Sequence, residues 1–162
     1  MGLNKIYEQC SEPKETNRQI GPLFRRWLQK GTLGLPLLAY KDFVLSESDA
    51  ILDGGDAEQT LFAQQNLNYQ RNKGLDLIIR FRGNYIIGEA KFLTDFGGHQ
   101  NAQFHDAMTT LTTPNVHAIQ IAVLDGVLYI KSNNKLFTEI TQTYSEHNIM
   151  SALVLRDFIY QL

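Results

Sequence analysis

The sequence predicts an α/β domain in which helices flank a central mixed β-sheet. Two apolar segments, residues 74–81 and 85–92, are separated by the turn residues Arg82, Gly83 and Asn84, and this pattern predicts a β-hairpin. A Gly-Gly pair and an amphipathic helical segment follow the hairpin, and further apolar segments follow the helix. Alternating strands and helices of this kind are typical of a sheet with helices packed on its faces.

The residues before the hairpin predict two helices. Residues 14–28 carry apolar side chains at helical spacing, and Pro22 within them predicts a kink or the start of the second half of the helix. The glycine and proline content of residues 31–40 indicates a loop. Residues 56–66 then predict a short second helix.

The residues after the Gly-Gly pair predict a helix, a second hairpin and two closing helices. Residues 118–124 and 127–131 are apolar and flank Asp125-Gly126, which is a strong hairpin-turn signal. Both segments are expected to extend the sheet. Helical patterns over residues 137–144 and 149–160 are expected to close the domain.

Length and composition predict one globular domain over residues 1–162. Hydrophobic residues make up 43% of the chain and charged residues 20%, as in ordinary soluble proteins. The single cysteine, Cys10, excludes a disulfide framework and a cysteine-based metal site. The chain contains no membrane-length apolar segment and no signal-peptide pattern, so a cytoplasmic location is expected.

The charge is unevenly distributed, although the net charge is only −2. Residues 1–30 hold six basic and three acidic residues, and residues 71–91 hold five basic and two acidic residues. Residues 42–58 hold six acidic residues and no basic one. Faces of unlike charge suit a protein that meets phosphate with one side, and ordinary solvated surface charge is the alternative interpretation.

Three charged residues interrupt the apolar hairpin: Asp76, Glu89 and Lys91. A two-residue loop at Gly83-Asn84 would place Asp76 opposite Lys91, whereas a loop at Arg82-Gly83 would place Asp76 opposite Glu89. Either register puts the three side chains on one face of the hairpin. A three-residue loop would separate them unless a bulge intervenes.

This cluster predicts a metal site for phosphodiester hydrolysis. Two neighbouring carboxylates repel each other, and a divalent cation removes the conflict; oxygen ligands with open water positions suit Mg²⁺. The metal can polarise a phosphoryl oxygen and lower the pKa of a bound water. Lys91 could stabilise negative charge or, if its pKa is lowered, help to deprotonate the water. An ordinary surface ion pair is the alternative for these residues.

The segment that follows the hairpin is rich in amide and imidazole groups. After Gly97-Gly98, the first helical turns carry the polar residues His99, Gln100, Asn101 and Gln103. Such side chains donate hydrogen bonds to phosphate oxygens or read base edges, and a helix N-terminus favours an anion. A merely polar start of a helix is the commoner interpretation of any one of these residues.

Three stretches carry a resemblance to a known family: Gly74-Leu75-Asp76, residues 87–103 with Gly88-Glu89-Ala90-Lys91 and Gly97-Gly98-His99-Gln100, and residues 12–24. Together they resemble type II restriction endonucleases of the PD-(D/E)xK superfamily. Leu75 stands where the motif name has proline, a position that commonly varies in this superfamily.

The resemblance implies a restriction-endonuclease-like core and a set of roles. Asp76 and Glu89 would ligate Mg²⁺, the backbone carbonyl of Ala90 would add a ligand, and Lys91 would be the catalytic lysine. Glu15 could be the acidic residue that many members place on an N-terminal helix.

Three further residues of the N-terminal segment, Asn17, Arg18 and Gln19, are candidates for DNA contact near the site. Glu8 and Glu12 compete with Glu15 for the role of the additional acidic residue. A carboxylate that complements the helix dipole is the alternative interpretation of Glu15.

The function implied is Mg²⁺-dependent hydrolysis of double-stranded DNA at a specific site, by a metal-activated water. A palindromic target would imply a homodimer, and a cognate DNA methyltransferase is expected as a functional counterpart. Because the chain is short for such an enzyme, it could be the catalytic part of a longer one. The alternatives are a repair, recombination or mobile-element nuclease of the same superfamily, and a non-cleaving DNA-binding module, against which the intact triplet argues.

Overall fold

The computed structural model describes residues 16–95, 97–131 and 133–162, with the backbone alone for residues 16–20. Six strands form one sheet in sequence order: β1 (Leu37–Ala39), β2 (Ala50–Asp53), β3 (Leu77–Phe81), β4 (Asn84–Leu93), β5 (Ile119–Gly126) and β6 (Ile149–Met150). The β2–β3 and β3–β4 pairs are antiparallel and the other three are parallel. The predicted mixed sheet is therefore confirmed.

Helices cover both faces of this sheet. They are α1 (Thr16–Gln29), α2 (Tyr40–Leu45), α3 (Asp56–Asn66), α4 (Gly98–Leu111), α5 (Lys135–Thr138) and α6 (Ala152–Tyr160). A 3₁₀ turn, Val127–Tyr129, follows β5, and a π-helical turn, Glu139–Thr143, continues α5. In the ranges that the structure describes, no helix has both the length and the apolar character needed to cross a membrane.

The β3–β4 hairpin closes through the two-residue loop Arg82-Gly83. Both loop residues have positive φ, 49° and 77°, as in the two-residue turns that match the twist of paired strands. The ladder pairs Phe81 with Asn84 and ends at Leu77 and Gly88. The second of the two registers considered from the sequence is therefore confirmed.

The apolar core lies on both faces of the sheet. On one face, α1 and α6 pack against Ile79, Ile86 and Ile121. On the other face, α2 and α3 cover Ile78 and Ile87, and α4 covers Leu93 and Leu124. Since alternate residues of a strand point to opposite faces, Glu89 and Lys91 lie on the same face of β4 as Ile87 and Leu93.

Of the two alternatives predicted at Pro22, a restart of the helix is wrong. Helix α1 runs from Thr16 to Gln29 without restarting at the proline. Pro22 is exposed, whereas Phe24 and Leu28 are buried and hold the following turns against the sheet. Leu23, one of the apolar residues of this helix, is 54% exposed.

The prediction of a second hairpin at Asp125-Gly126 is wrong. Strand β5 continues to Gly126, which pairs with Leu93, and the chain then forms the 3₁₀ turn instead of a returning strand. Gly126 has φ 103° and ψ −146°, and Asp125 does not have the positive φ that the type I′ turn favoured by Asp-Gly requires. A Cβ at this position would lie 2.0 Å from the Leu93 carbonyl oxygen, so the glycine serves the close approach of β4 and β5.

Three short strands were not predicted from the sequence. Residues 31–40, expected to be a loop, contain β1, and β2 follows a few residues later. Residues 149–160 were expected to be one helix, but Ile149–Met150 form β6 and the helix begins at Ala152. Ser151 caps that helix, and Asp125 accepts a 3.1 Å hydrogen bond from the Ala152 N–H.

Candidate active site

Lys91 joins the two carboxylates of the hairpin. Its Nζ lies 3.1 Å from Asp76 Oδ2 and 2.9 Å from Glu89 Oε2. Asp76 Oδ2 also accepts a 2.9 Å hydrogen bond from the backbone N–H of Ala90. The three residues singled out in the sequence therefore lie together, immediately beyond the last ladder pair of the hairpin.

The three side chains differ in their exposure to solvent. Glu89 is 1% exposed, whereas the side chains of Lys91 and Asp76 are 20% and 26% exposed. Burial by itself would lower the pKa of Lys91, but the carboxylates of Asp76 and Glu89 outweigh it and the pKa is raised above its usual value. Lys91 is therefore an ammonium group at neutral pH in this arrangement.

Side chains that were not predicted as site residues contact Glu89 or orient its partners. Thr110 of α4 donates a hydrogen bond to Glu89 Oε1, and Arg71 donates one to the Thr110 hydroxyl. Lys73 Nζ lies 3.4 Å from Glu89 Oε2 and also pairs with Asp106 of α4. The basic character of residues 71–91 was visible in the sequence, but nothing there connected Thr110 to Glu89 across 21 residues.

The donor set fits a Mg²⁺ ion. Glu89 Oε2 is buried and accepts no well-aligned hydrogen bond; its contacts are the two lysine ammonium groups, a cationic environment that a metal ion can replace. The N–H and C=O of an extended residue point to the same side, so the Ala90 carbonyl is directed towards Asp76. Within the described ranges no group of three or more His, Cys, Asp or Glu side chains could hold a metal, but Mg²⁺ keeps several waters and needs few protein ligands.

A cleft of about 420 Å³ opens beside Asp76. Its walls come from α1, the start of α3 and the segment before β3: Gly21, Pro22, Arg25, Arg26, Gln29, Asp56 and Asp76. Arg25 is tied to the backbone by a hydrogen bond to the Gly54 carbonyl, whereas Arg26 is exposed. An anionic chain lying in this cleft would therefore meet the exposed guanidinium of Arg26 close to Asp76.

The residues predicted for DNA contact differ in their exposure to solvent. Gly97, Gly98 and His99 are exposed at the start of α4, and Asn101 and Gln103 are partly exposed. The amide of Gln103 lies 3.2 Å from the His99 ring.

Gln100 and Arg80 are buried, in contrast to these residues. Gln100 is 4% exposed and donates a 3.1 Å hydrogen bond to the Thr94 hydroxyl. Arg80, counted among the basic residues of the hairpin, is 5% exposed and donates to the carbonyls of Phe43 and Ser48. Both side chains are therefore buried inside the described part of the protein.

The remaining predicted residues are not covered by the structure. Glu15, with its competitors Glu8 and Glu12, lies outside the described residues. Asn17, Arg18 and Gln19 lie in α1, but their side chains are also outside the description.

The six-stranded mixed sheet with helices on both faces is compatible with a restriction-endonuclease-like fold. The chain belongs to the Tsp45I type II restriction enzyme family, whose family model matches residues 1–162. It is accordingly a site-specific deoxyribonuclease that acts on double-stranded DNA, and enzymes of this type generally need a divalent metal. No curated protein and no solved structure matches the chain.

Proposed function

We propose that the chain cleaves DNA at a specific sequence in a Mg²⁺-dependent reaction centred on Asp76, Glu89 and Lys91. The observation that supports this most directly is that one ammonium group contacts an oxygen of each carboxylate beside an open cleft. The family membership makes DNA cleavage the activity, and this centre is the arrangement of charge best suited to a phosphodiester.

Asp76, Glu89 and the Ala90 carbonyl would hold the Mg²⁺ ion. When bound, this ion supplies Lewis-acid stabilisation of a phosphoryl oxygen and lowers the pKa of a water molecule. Asp76 is oriented for this role by the Ala90 N–H, and Glu89 by its buried surroundings. Mg²⁺ is the natural choice because the donor atoms are all oxygen.

Lys91 would stabilise the negative charge that develops on the phosphate. Its ammonium group remains charged beside two carboxylates, and its side chain is 20% exposed. Water would attack phosphorus in line with the leaving oxygen, leaving a 5′-phosphate and a 3′-hydroxyl. A charged donor stabilises the negative charge of a transition state more strongly in a partly buried site than in open water.

DNA contacts are assigned to two surfaces beside this centre. Arg26 and Gln29 in the cleft would meet the phosphate backbone, together with Asn17, Arg18 and Gln19 of the same helix. The exposed start of α4, with Gly97, Gly98, His99, Asn101 and Gln103, would supply further contacts. Gln100 is better suited to holding the start of α4 against Thr94 than to touching DNA.

The wider biological setting remains part of the proposal. The chain would act as a single nuclease domain over residues 1–162, as a homodimer on a palindromic site, in the cytoplasm of a bacterial or archaeal cell. A DNA methyltransferase of the same specificity would protect the host DNA.

Lys91→Ala tests the assignment of the centre. We expect Mg²⁺-dependent cleavage of plasmid DNA into discrete fragments to fall by at least about 100-fold, because the ammonium at the phosphate is lost. DNA binding in Ca²⁺, measured by gel shift, should persist. Lys135→Ala is the matched control, since that side chain is 76% exposed and pairs only with Glu139 in the part of the chain that the structure describes.

Retained cleavage in Lys91→Ala would place the chemistry elsewhere. Smeared or structure-dependent products from the unaltered protein would instead indicate a repair-type nuclease. Binding without any cleavage would indicate a DNA-binding module.

Glu15→Ala tests whether a third carboxylate belongs to the centre. If Glu15 contributes a metal ligand, the variant should need a higher Mg²⁺ concentration for half-maximal cleavage. Glu12→Ala serves as the comparison, and an unchanged Mg²⁺ requirement in Glu15→Ala would remove Glu15 from the proposed site.

A further inference from the structure

A small polar group adjoins the Oε1 atom of Glu89. It consists of Tyr69, Arg71 and Thr110, and it joins the loop before β3 to the last turn of α4. Thr110 is 1% exposed, so its hydroxyl has no access to solvent. Burial raises the pKa of Tyr69, although Thr110 and Arg71 act in the opposite direction, so this phenol is neutral beside the carboxylate.

The direction of the hydrogen bonds through this group is fixed by its chemistry. A guanidinium group can only donate, so Arg71 must bond to the oxygen of the Thr110 hydroxyl. The single hydroxyl hydrogen of Thr110 is thereby left for Glu89 Oε1. The chain of donors runs from Arg71 through Thr110 to Glu89 and cannot run the other way.

We infer that Thr110 is a positioning residue for Glu89, oriented in turn by Arg71. This inference rests on the proposed function, in which Glu89 is a metal ligand. By holding Oε1 at the back of the site, Thr110 directs Oε2 towards Lys91, 2.9 Å away, and towards the position of the metal. Partners of this kind typically change metal affinity by about 10–100-fold when they are removed.

The position of Thr110 explains how the last turn of α4 can act on the centre, although only the start of this helix is proposed to contact DNA. Asp106 lies one turn earlier on α4 and pairs with Lys73 and Arg71. Asp106 and Thr110 of α4 therefore hold the loop that carries Arg71 and Lys73. A shift of α4 would be transmitted to the carboxylate through Thr110.

Thr110→Val tests the inference because it keeps the shape of the side chain and removes its hydroxyl. The probe is Mn²⁺ alone, titrated into the protein without DNA, with the signal of the free ion followed by electron paramagnetic resonance. We expect the Mn²⁺ dissociation constant of Thr110→Val to rise by about 10-fold, whereas Thr110→Ser, which keeps the donor, should stay within about twofold. The Mg²⁺ concentration for half-maximal cleavage should shift in parallel.

Thr113→Val is the matched control. Thr113 is also buried, at 8% exposure just beyond α4, but its hydroxyl donates to the carbonyl of Thr109 and not to the site. A loss of metal affinity caused merely by weakening the end of the helix would appear in Thr113→Val as well. Equal losses in both variants would overturn the positioning role.

Two further variants keep the test decisive. Arg71→Met removes the group that orients Thr110 and is less disruptive because its side chain is 24% exposed; it should weaken Mn²⁺ binding even if Thr110→Val does not fold. Normal Mn²⁺ binding in folded Thr110→Val, or in Arg71→Met where Thr110→Val does not fold, overturns the inference alone, provided that Glu89→Gln has lost binding. Normal binding in Glu89→Gln overturns the proposed metal site and the inference with it.

Discussion

The basic side chains near the hairpin have different partners, and the partner decides the use of each charge. Arg80 lies 4.4 Å over the Phe43 ring and donates to backbone carbonyls, so its charge holds α2 against β3. Lys73 pairs with Asp106, and Lys91 pairs with Asp76. Counting charges along the sequence could not separate these roles, because the separation depends on which residues the fold buries.

Arg26 is the cleft residue whose charge we expect DNA to use. In Arg26→Ala, DNA affinity should fall similarly for all sequences, and the slope of log affinity against log salt should decrease by about 1, as expected for one lost phosphate contact. The measurement is a gel shift in Ca²⁺ at several salt concentrations. Arg156→Ala is the control, because that guanidinium lies 5.4 Å from the Tyr160 ring on α6, outside the cleft lining.

The two arginine variants should therefore differ in a defined way. An unchanged salt slope in Arg26→Ala would show that DNA does not lie along this part of α1. A loss restricted to the recognition sequence would instead make Arg26 a base-reading residue.

At the scale of the elements, the hairpin and the helix after it were predictable because their signals are local. The positive-φ loop at Arg82-Gly83 fixes the register, and the register brings Glu89 towards Asp76. Strand β6 has only two residues, too few to show a period, and its position is fixed by the parallel pairing of Val123 with Met150. Short strands of this kind are determined by the sheet that they join.

The wrong prediction of a hairpin at Asp125-Gly126 also arises from contacts between distant segments of the chain. The dipeptide is a frequent hairpin turn, but here the glycine is required by the approach of β5 to Leu93, and Asp125 accepts hydrogen bonds at the start of α6. Likewise, the contact of Thr110 with Glu89 and the cleft beside Asp76 depend on how α4 and α1 pack on the sheet. Contacts between distant segments carry no local signal.

Gly88 links the packing of β4 and β5 to the position of Glu89. A Cβ at Gly88 would lie 2.5 Å from the Ile121 carbonyl oxygen, which as a backbone atom of the paired strand cannot move freely. Gly88→Ala should therefore lower the free energy of unfolding by about 1–3 kcal/mol and displace the adjacent carboxylate. Urea denaturation followed by circular dichroism measures the first effect, and Mn²⁺ affinity measures the second.

Gly21→Ala is the control for Gly88→Ala. Gly21 lies in α1, and a Cβ there would meet no atom of the described residues within 4 Å. Alanine is the better helix former by up to about 1 kcal/mol, so this variant should be as stable as the unaltered protein or more so. Equal stability of Gly88→Ala and the unaltered protein would show that β4 and β5 can separate without loss.

At the scale of the whole molecule, a small net negative charge is combined with an exposed basic residue at the cleft. The net charge is −2, yet Arg26 faces the cleft beside Asp76. A divalent cation between Asp76 and Glu89 would reverse the local charge at this point. DNA binding should accordingly respond strongly both to salt and to divalent metal.

One proposed catalytic centre per chain has a consequence for the cleavage of both DNA strands. The described part of the chain contains one group of Asp76, Glu89 and Lys91, whereas cutting both strands of a duplex requires two hydrolysed bonds. A homodimer with two-fold symmetry would place one centre at each strand of a palindromic site. Mixing the unaltered protein with excess Lys91→Ala should then form dimers with a single active centre.

Such mixed dimers should nick supercoiled plasmid, so open circles should accumulate and linear DNA should decrease well below the share expected from dilution. Excess Lys135→Ala, which keeps its centre, should leave the linear product unchanged. If linear DNA instead falls only in proportion to the fraction of unaltered chains, each chain cuts both strands by itself, and the two-fold arrangement is wrong. Sedimentation of the protein on one duplex would give the number of bound copies independently.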